Sequence, residues 1–430
     1  MNKVALIILA LWIAAVGAEA QKKKANPAQK GKVVQPAVEK KPKTGIIDSL
    51  IGAYLFDEAT DLIEEELNTQ PTASYAAILK ARRHQAELGS TMLEATQRVV
   101  IIDSVVVGRD ALLQTLNLDE NCGKLLTAQQ LRETTGLSEQ TTGTAFINNF
   151  GDHLLFSCSR PDSTAQLMER NRFGDKWSAP TPLRGLNDSL ATQAFPFLLA
   201  DGTTLYFAAK DQGSLGGYDI YVTRYNSTDN GYLKPENLGM PFNSPANDYL
   251  MAYDELHNLG WFVSDRRQSA DKVCIYTFIP AETRETYDDL DEDKLRRIAA
   301  LHSIKDTQTG QQQAVSEAVA RLKEARTARK DNSTKGNELD FDLAYGKHYS
   351  SLDDFRNPKA KEQAAEWARQ KYRRAQLAEL LRENRNKYAE ARTDTERKAL
   401  APAILRQEQE LETQDAALAE LANKVRELEQ

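Results

Sequence analysis

Asp201-Gly-Thr-Thr-Leu-Tyr-Phe207, followed by Gly216-Gly-Tyr-Asp-Ile-Tyr-Val222, is the stretch on which the fold turns. Asp201-Gly202 is a tight-turn pair, since glycine reaches positive φ without steric cost. The β-branched and aromatic residues after it suit a half-buried strand. Gly216-Gly217 is expected to fold the next loop back with positive φ. Ala194-Phe-Pro-Phe197 supplies a strand beforehand. The unit therefore reads strand, turn, strand, Gly-rich loop, strand.

The unit repeats. Laying Trp177-Ser-Ala-Pro180 over Tyr232-Leu-Lys-Pro235 is an offset of 55 residues. Without a gap, Leu183 then meets Leu238, Ser189 meets Ser244, Ala191 meets Ala246 and Phe207 meets Phe262. Ile220 meets Ile275 and Tyr221 meets Tyr276. A looser copy lies upstream at an offset of 51, where Gly151, Leu154 and Phe156 match Gly202, Leu205 and Phe207. A β-meander that recurs near 50 residues is the pattern of a propeller blade.

The repeat resembles the TolB-type, WD-like β-propeller repeat of bacterial envelope proteins, in Bacteroidota often beside tetratricopeptide units. The residues that carry the likeness are Asn243-Ser244, Asp201-Gly-Thr-Thr-Leu-Tyr-Phe207 and Gly216-Gly-Tyr-Asp-Ile-Tyr221, and it covers roughly residues 144–280. The resemblance implies a propeller region over 93–280 and specifies fold far better than activity. A closed ring of this family has about six blades, whereas three copies are countable here. Either further strands, such as one at 98–107, complete the ring, or a partial stack remains. The OmpA-like domain that often accompanies these repeats is absent, so its peptidoglycan binding does not carry over.

Helices flank the β region. The period of Leu50, Tyr54, Leu62 and Phe56, Ala59, Ile63 predicts a helix over 46–67. Pro71 opens a second over 75–88, ended by Gly89-Ser90. Together, residues 45–92 read as a helical hairpin resembling one tetratricopeptide unit. Residues 281–336 read as a helical segment, with helices at 288–304 and 313–330. Residues 337–430 read as a short β-hairpin turning at Gly346-Lys347, then a long helical hairpin. Its second helix carries Ile404, Leu411, Leu418 and Val425 at seven-residue steps, a coiled-coil seam thinned at Gln407 and Gln414. Trp367, Tyr372, Ala375, Leu380, Leu381 and Tyr388 on the first helix are its nearest cover. That cover is expected to be incomplete, leaving room for a second copy or a partner.

The N-terminus sets the compartment. Lys3, an apolar run over 4–16 and Ala18-Glu19-Ala20 match a cleaved secretory signal over 1–20, with cleavage after Ala20. Residues 21–44 hold eight lysines against one glutamate, and with a chain total of −7 the remainder carries fourteen net negative charges. Such a like-charged, weakly apolar stretch reads as a disordered basic linker, with peripheral contact to an anionic membrane surface as its sharper use. The location implied is periplasmic, with outer-membrane association open.

Composition and motifs exclude more than they assign. At 41% hydrophobic and 27% charged, the chain is not a polytopic membrane protein. Three cysteines build neither a disulfide framework nor a Cys-rich zinc module, although a bridge between Cys158 and Cys274 stays open. The chain carries no Gly-x-Ser-x-Gly elbow, phosphate-cradling glycine loop or Asp-x-Asp-x-Asp-Gly calcium loop. The acidic runs at Asp288-Asp289, Asp291-Glu-Asp293 and Asp353-Asp354 suit helix starts. No catalytic, cofactor-binding or metal-binding residue is expected, and nucleic acid is an improbable partner for an acidic exported body. The function that fits is a non-enzymatic scaffold in an envelope or outer-membrane complex, with homo- or hetero-oligomerisation through the C-terminal helices. The alternatives are a glycan- or peptide-binding propeller module and, less favoured, a propeller hydrolase.

Overall fold

Apolar periodicity builds the N-terminal region from three helices, α1 (Thr44–Gly52), α2 (Phe56–Asn68) and α3 (Ala73–Glu94). The computed structural model describes residues 42–429, apart from 117, 120–121, 138–140, 174–175, 187–189, 282, 288–289, 336–337, 344–346 and 392. The segment read as a signal, residues 1–20, and most of that read as a basic linker therefore lie outside the described residues. So do Ser189 of the repeat and the hairpin's Gly346.

Two helical expectations are corrected. The single helix over 46–67 is split between α1 and α2, where Tyr54 takes φ 62°. This buries its ring against Phe56 instead of continuing the helix. Gly89 does not end the second helix. A Cβ there would lie 2.4 Å from Phe56 Cε1, so the glycine is a notch for that ring and α3 runs through it. Leu215, Met240, Ala299 and Ala300 complete the core beneath these helices.

The β region begins with β1 (Val100–Gly108). Next come α4 (Leu112–Leu116), β2 (Lys124–Leu126), α5 (Ala128–Thr135), β3 (Ala145–Ile147), β4 (His153–Ser159) and β5 (Ala165–Phe173). Short pairs β6 (Lys176–Trp177) and β7 (Thr181–Pro182) precede β8 (Thr192–Leu198), β9 (Thr204–Lys210) and β10 (Asp219–Asn226). Then follow β11 (Gly231–Tyr232), β12 (Glu236–Asn237), β13 (Asp248–Asp254), β14 (Leu259–Ser264) and β15 (Lys272–Ile279). Strands β2 to β5 form one antiparallel meander, and β8, β9 and β10 form a second, edged by β11 and β12. A single parallel bridge, Ala165 to Thr192, joins the two. The third is a separate four-stranded sheet in the order β1-β15-β14-β13. None of these sheets closes into a barrel.

The strand expected at 98–107 becomes the outer edge of this third sheet, Ile101 opposite Phe278 and Val107 opposite Val273. Its outward margin at Ile101 is bonded by side chains. The Ile101 N–H donates to Thr307 Oγ1 (3.0 Å), and Gln308 Nε2 donates to the Ile101 carbonyl (2.7 Å). Both come from a 3-10 turn at Ile304–Gln308.

Repeat-equivalent residues share one register. Phe207 on β9 faces Tyr221 on β10 with ring centroids 6.1 Å apart, and Phe262 on β14 faces Tyr276 on β15 at 4.9 Å. Both phenylalanines are fully buried. The Gly-rich loop differs from expectation. Gly202 has the positive φ of its turn (66°), but Gly216 and Gly217 do not. A Cβ on Gly216 would lie 1.7 Å from the Ala246 carbonyl oxygen, so close approach of two backbones requires the glycine.

After the sheets come α6 (Glu292–Ala299), shorter than the helix read over 288–304, and α7 (Gln312–Lys335). A small hairpin of β16 (Glu338–Asp342) and β17 (His348–Ser351) precedes α8 (Pro358–Glu390) and α9 (Asp394–Glu429). The last two helices run antiparallel, as Arg374–Asp415 and Arg385–Glu408 pairs require. Ile404, Val425 and Leu381 are buried, while Leu411 and Leu418 are half-buried. Of the other residues read as cover, Ala375 and Tyr388 are exposed and Trp367 packs on Phe341 at 4.8 Å. The side chains of Tyr372 and Leu380 lie outside the described residues. Helix α9 also reaches the sheets: Arg406 donates to the Asp201 carbonyl and the Glu410 carboxyl is bonded by Asn149, both at hairpin turns. No helix among the described residues is long and apolar enough to cross a membrane.

Candidate functional site

The residues that carry the resemblance fold into a closed polar lattice. Asn243 serves as a substitute strand partner for β10. Its Oδ1 accepts from the Ile220 N–H (2.7 Å) and its Nδ2 donates to the Ile220 carbonyl (2.9 Å). Ser244 Oγ donates to Asp248 Oδ2 (2.8 Å). Arg266 Nη2 donates to Asp248 Oδ1 (2.8 Å), and its other N–H groups bond Pro241 O, Phe242 O and Ser264 Oγ. Its guanidinium also lies 5.6 Å from the centroid of the Phe262 ring. Arg266 and Asp248 are buried. Burial raises the Asp248 carboxyl above the usual carboxylate range, and Arg266 pulls it back.

Asp219 sits beside this lattice. It accepts from the backbone N–H groups of Leu215 (2.8 Å) and Gly216 (3.1 Å), and from Asn237 Nδ2 (2.8 Å). Burial, reinforced by Asp248, pushes its pKa up to about 7, against these donors. The folded state then holds the proton more tightly than the unfolded chain. The stability this confers is complete below pH 3.8 and lost as pH rises through about 7. Between about pH 5 and about pH 8 the wild type is expected to lose more stability than Asp219→Asn. Urea unfolding of both proteins at the two pH values checks this. An equal change in both would show that the carboxyl is not raised.

Between the second meander and the third sheet lies a cleft of about 520 Å³. Strands β9 and β10 form one wall, and Tyr253 of β13 and Phe278 of β15 the other. Tyr206 and Tyr253 pack with ring centroids 5.0 Å apart. Burial raises the Tyr206 phenol, against Tyr253, Arg284 and Arg224. Arg98, Arg224, Lys234 and Arg284 stand around the opening and are exposed. Glu236 is the one carboxylate among the described lining residues. It lies 3.7 Å from Arg284, with both side chains at least half exposed. A basic opening on an acidic body is a place for negative charge.

None of these cations was singled out in the sequence. Arg98 and Arg284 are 186 positions apart, and only pairing of β1 with β15 brings their flanks together. The nearest signal was Arg224 and Lys234, one on each side of a turn in the repeat.

Phe195, Tyr218 and Tyr249 form a second aromatic group, with centroids 5.3 to 5.9 Å apart. The protein caps it itself. Lys210 Nζ lies 4.2 Å from the centroid of the Tyr218 ring, and the Arg109 guanidinium 4.9 Å from that of Tyr249. Among the described residues no group of three or more His, Cys, Asp or Glu side chains is placed to hold a metal. Cys122, Cys158 and Cys274 are free thiols, so the Cys158–Cys274 bridge is not formed.

No family model, no curated protein and no solved structure matches the chain.

Proposed function

We propose that the protein is a non-enzymatic scaffold exported to the cell envelope. In this reading the three meanders are blades of an incomplete TolB-type propeller, and the α8–α9 hairpin docks a protein partner or a second copy. The observation that carries it is the shape of that hairpin. Between its helices runs a shallow groove lined by Trp367, Ala375, Leu418, Ala419 and Ala422, with Lys371, Arg374 and Arg426 at its margin. Small residues along a helix pair let another helix approach closely, and the charged margin supplies orientation. The contacts of Arg406 and Glu410 with sheet turns would brace such a platform.

The test charges the groove without touching the buried seam. Ala375 and Ala419 are exposed, so Ala375→Glu with Ala419→Glu leaves Ile404 and Val425 packed. The tagged full chain is extracted from native envelopes and its assembly size measured by sedimentation. The wild type is expected in a larger assembly and the variant at least tenfold depleted from it, a loss of about 1.4 kcal/mol or more. A wild type that sediments as a single chain, or a variant retained in full, overturns the proposal. Circular dichroism serves as the folding control.

A further inference from the structure

The cleft between the second meander and the third sheet is a separate matter from the helical hairpin. We propose that it binds an acidic oligosaccharide, whose carboxylates are taken by Arg98, Arg224, Lys234 and Arg284. Three of these are guanidiniums, whose planar forks match carboxylates. They gather at one opening of a body that carries fourteen net negative charges over residues 45–430. The only counter-charge among the described lining residues is Glu236, whose 3.7 Å pairing with Arg284 is solvent-exposed and therefore weak. An incoming carboxylate can replace it at little cost.

The lining also discriminates against a peptide. Extended peptides gain affinity from an unpaired strand edge and specificity from side-chain sockets. Here backbone donors of the lining are already used at three places: Arg98 N–H bonds Glu285 O, Leu233 N–H bonds Arg224 O and Leu238 N–H bonds Ile220 O. Of the apolar lining, Phe242 and Phe278 are buried, and Leu233 stands half exposed at the surface. What the lining offers a ligand is chiefly a set of exposed cations beside the half-buried Tyr206 and Tyr253, with Leu233 as its exposed large aliphatic side chain. That suits a ligand rich in hydroxyls and carboxylates and poor in apolar groups.

Calorimetric titration of the purified full chain tests this with three probes of matched length: an oligogalacturonate, a neutral oligoglucoside and an oligoglutamate. The oligogalacturonate is expected to bind, more weakly as salt rises because the cations are exposed. The neutral sugar is expected not to bind. Arg224→Gln with Arg284→Gln should weaken the uronate at least tenfold, and Lys234→Gln alone should weaken it less. These side chains are exposed, so unchanged circular dichroism is the expected control. Absence of uronate binding, equal binding of the neutral sugar, or affinity unchanged in the double variant overturns the proposal. Equal or tighter binding of oligoglutamate also overturns it, in favour of an acidic peptide.

Discussion

Arg266→Met is expected to cost ~3–5 kcal/mol of folding stability, the usual penalty for removing one partner of a buried ion pair. Arg266 is 4% exposed, and its partner Asp248 is fully buried. Methionine fills much of the stem's volume but leaves the Asp248 charge without its cation. The carbonyls of Pro241 and Phe242 lose their donors at the same time. Chemical unfolding, followed by tryptophan fluorescence, measures the loss. Adding Asp248→Asn should return a large part of it, because the uncompensated charge is the main cost. The surface pair Arg82–Asp48, with side chains 40% and 48% exposed, is the contrasting case. Breaking it should change stability by no more than about 1 kcal/mol. Similar losses at both pairs would mean that Arg266 and Asp248 are not desolvated as described.

Phe262→Ala is expected to cost a comparable ~3–5 kcal/mol, the range for emptying a buried phenylalanine site. Phe207→Ala should behave alike, since each ring stacks on the tyrosine opposite it in register. Phe262 also meets Phe242 at 5.4 Å, so its loss disturbs more neighbours and should be the larger of the two. Unfolding midpoints of the two variants against wild type decide the matter. A loss below about 1 kcal/mol at either site would mean that the two copies are not packed equivalently.

How much was legible in the sequence follows from the range of each interaction. The repeat could be read because its signal is local: an Asp-Gly turn, alternation around Phe207 and an ungapped offset to Phe262. The long helices could be read because helical periodicity is also local, and α8 and α9 form the helical hairpin expected within residues 337–430. The break at Tyr54 could not. A non-glycine residue accepts φ 62° only because tertiary contacts bury its ring. Gly89 looked like a helix stop, since what it accommodates, the Phe56 ring, lies 33 positions earlier. The cleft was least legible of all, because its outermost cations, Arg98 and Arg284, are 186 positions apart and converge only through the pairing of β1 with β15. Asn243 belongs to the motif that carries the resemblance, yet its bonding to Ile220 as a strand's stand-in depends on the tertiary fold and has no local signal.

The outer margin of β1 has a bearing on what becomes of the molecule at high concentration. A sheet that does not close on itself ends in a row of backbone groups able to recruit another chain's strand, and Val105 and Val106 are exposed along this one. At Ile101 the row is already occupied by Thr307 and Gln308. A foreign strand arriving there must displace both bonds before forming its own. The bulge between Ile101 and Asp103 further spoils the straight template it would need. Strand addition is thus hindered at the Ile101 end of this edge, where a recruited chain would have to start by breaking bonds the fold has already made.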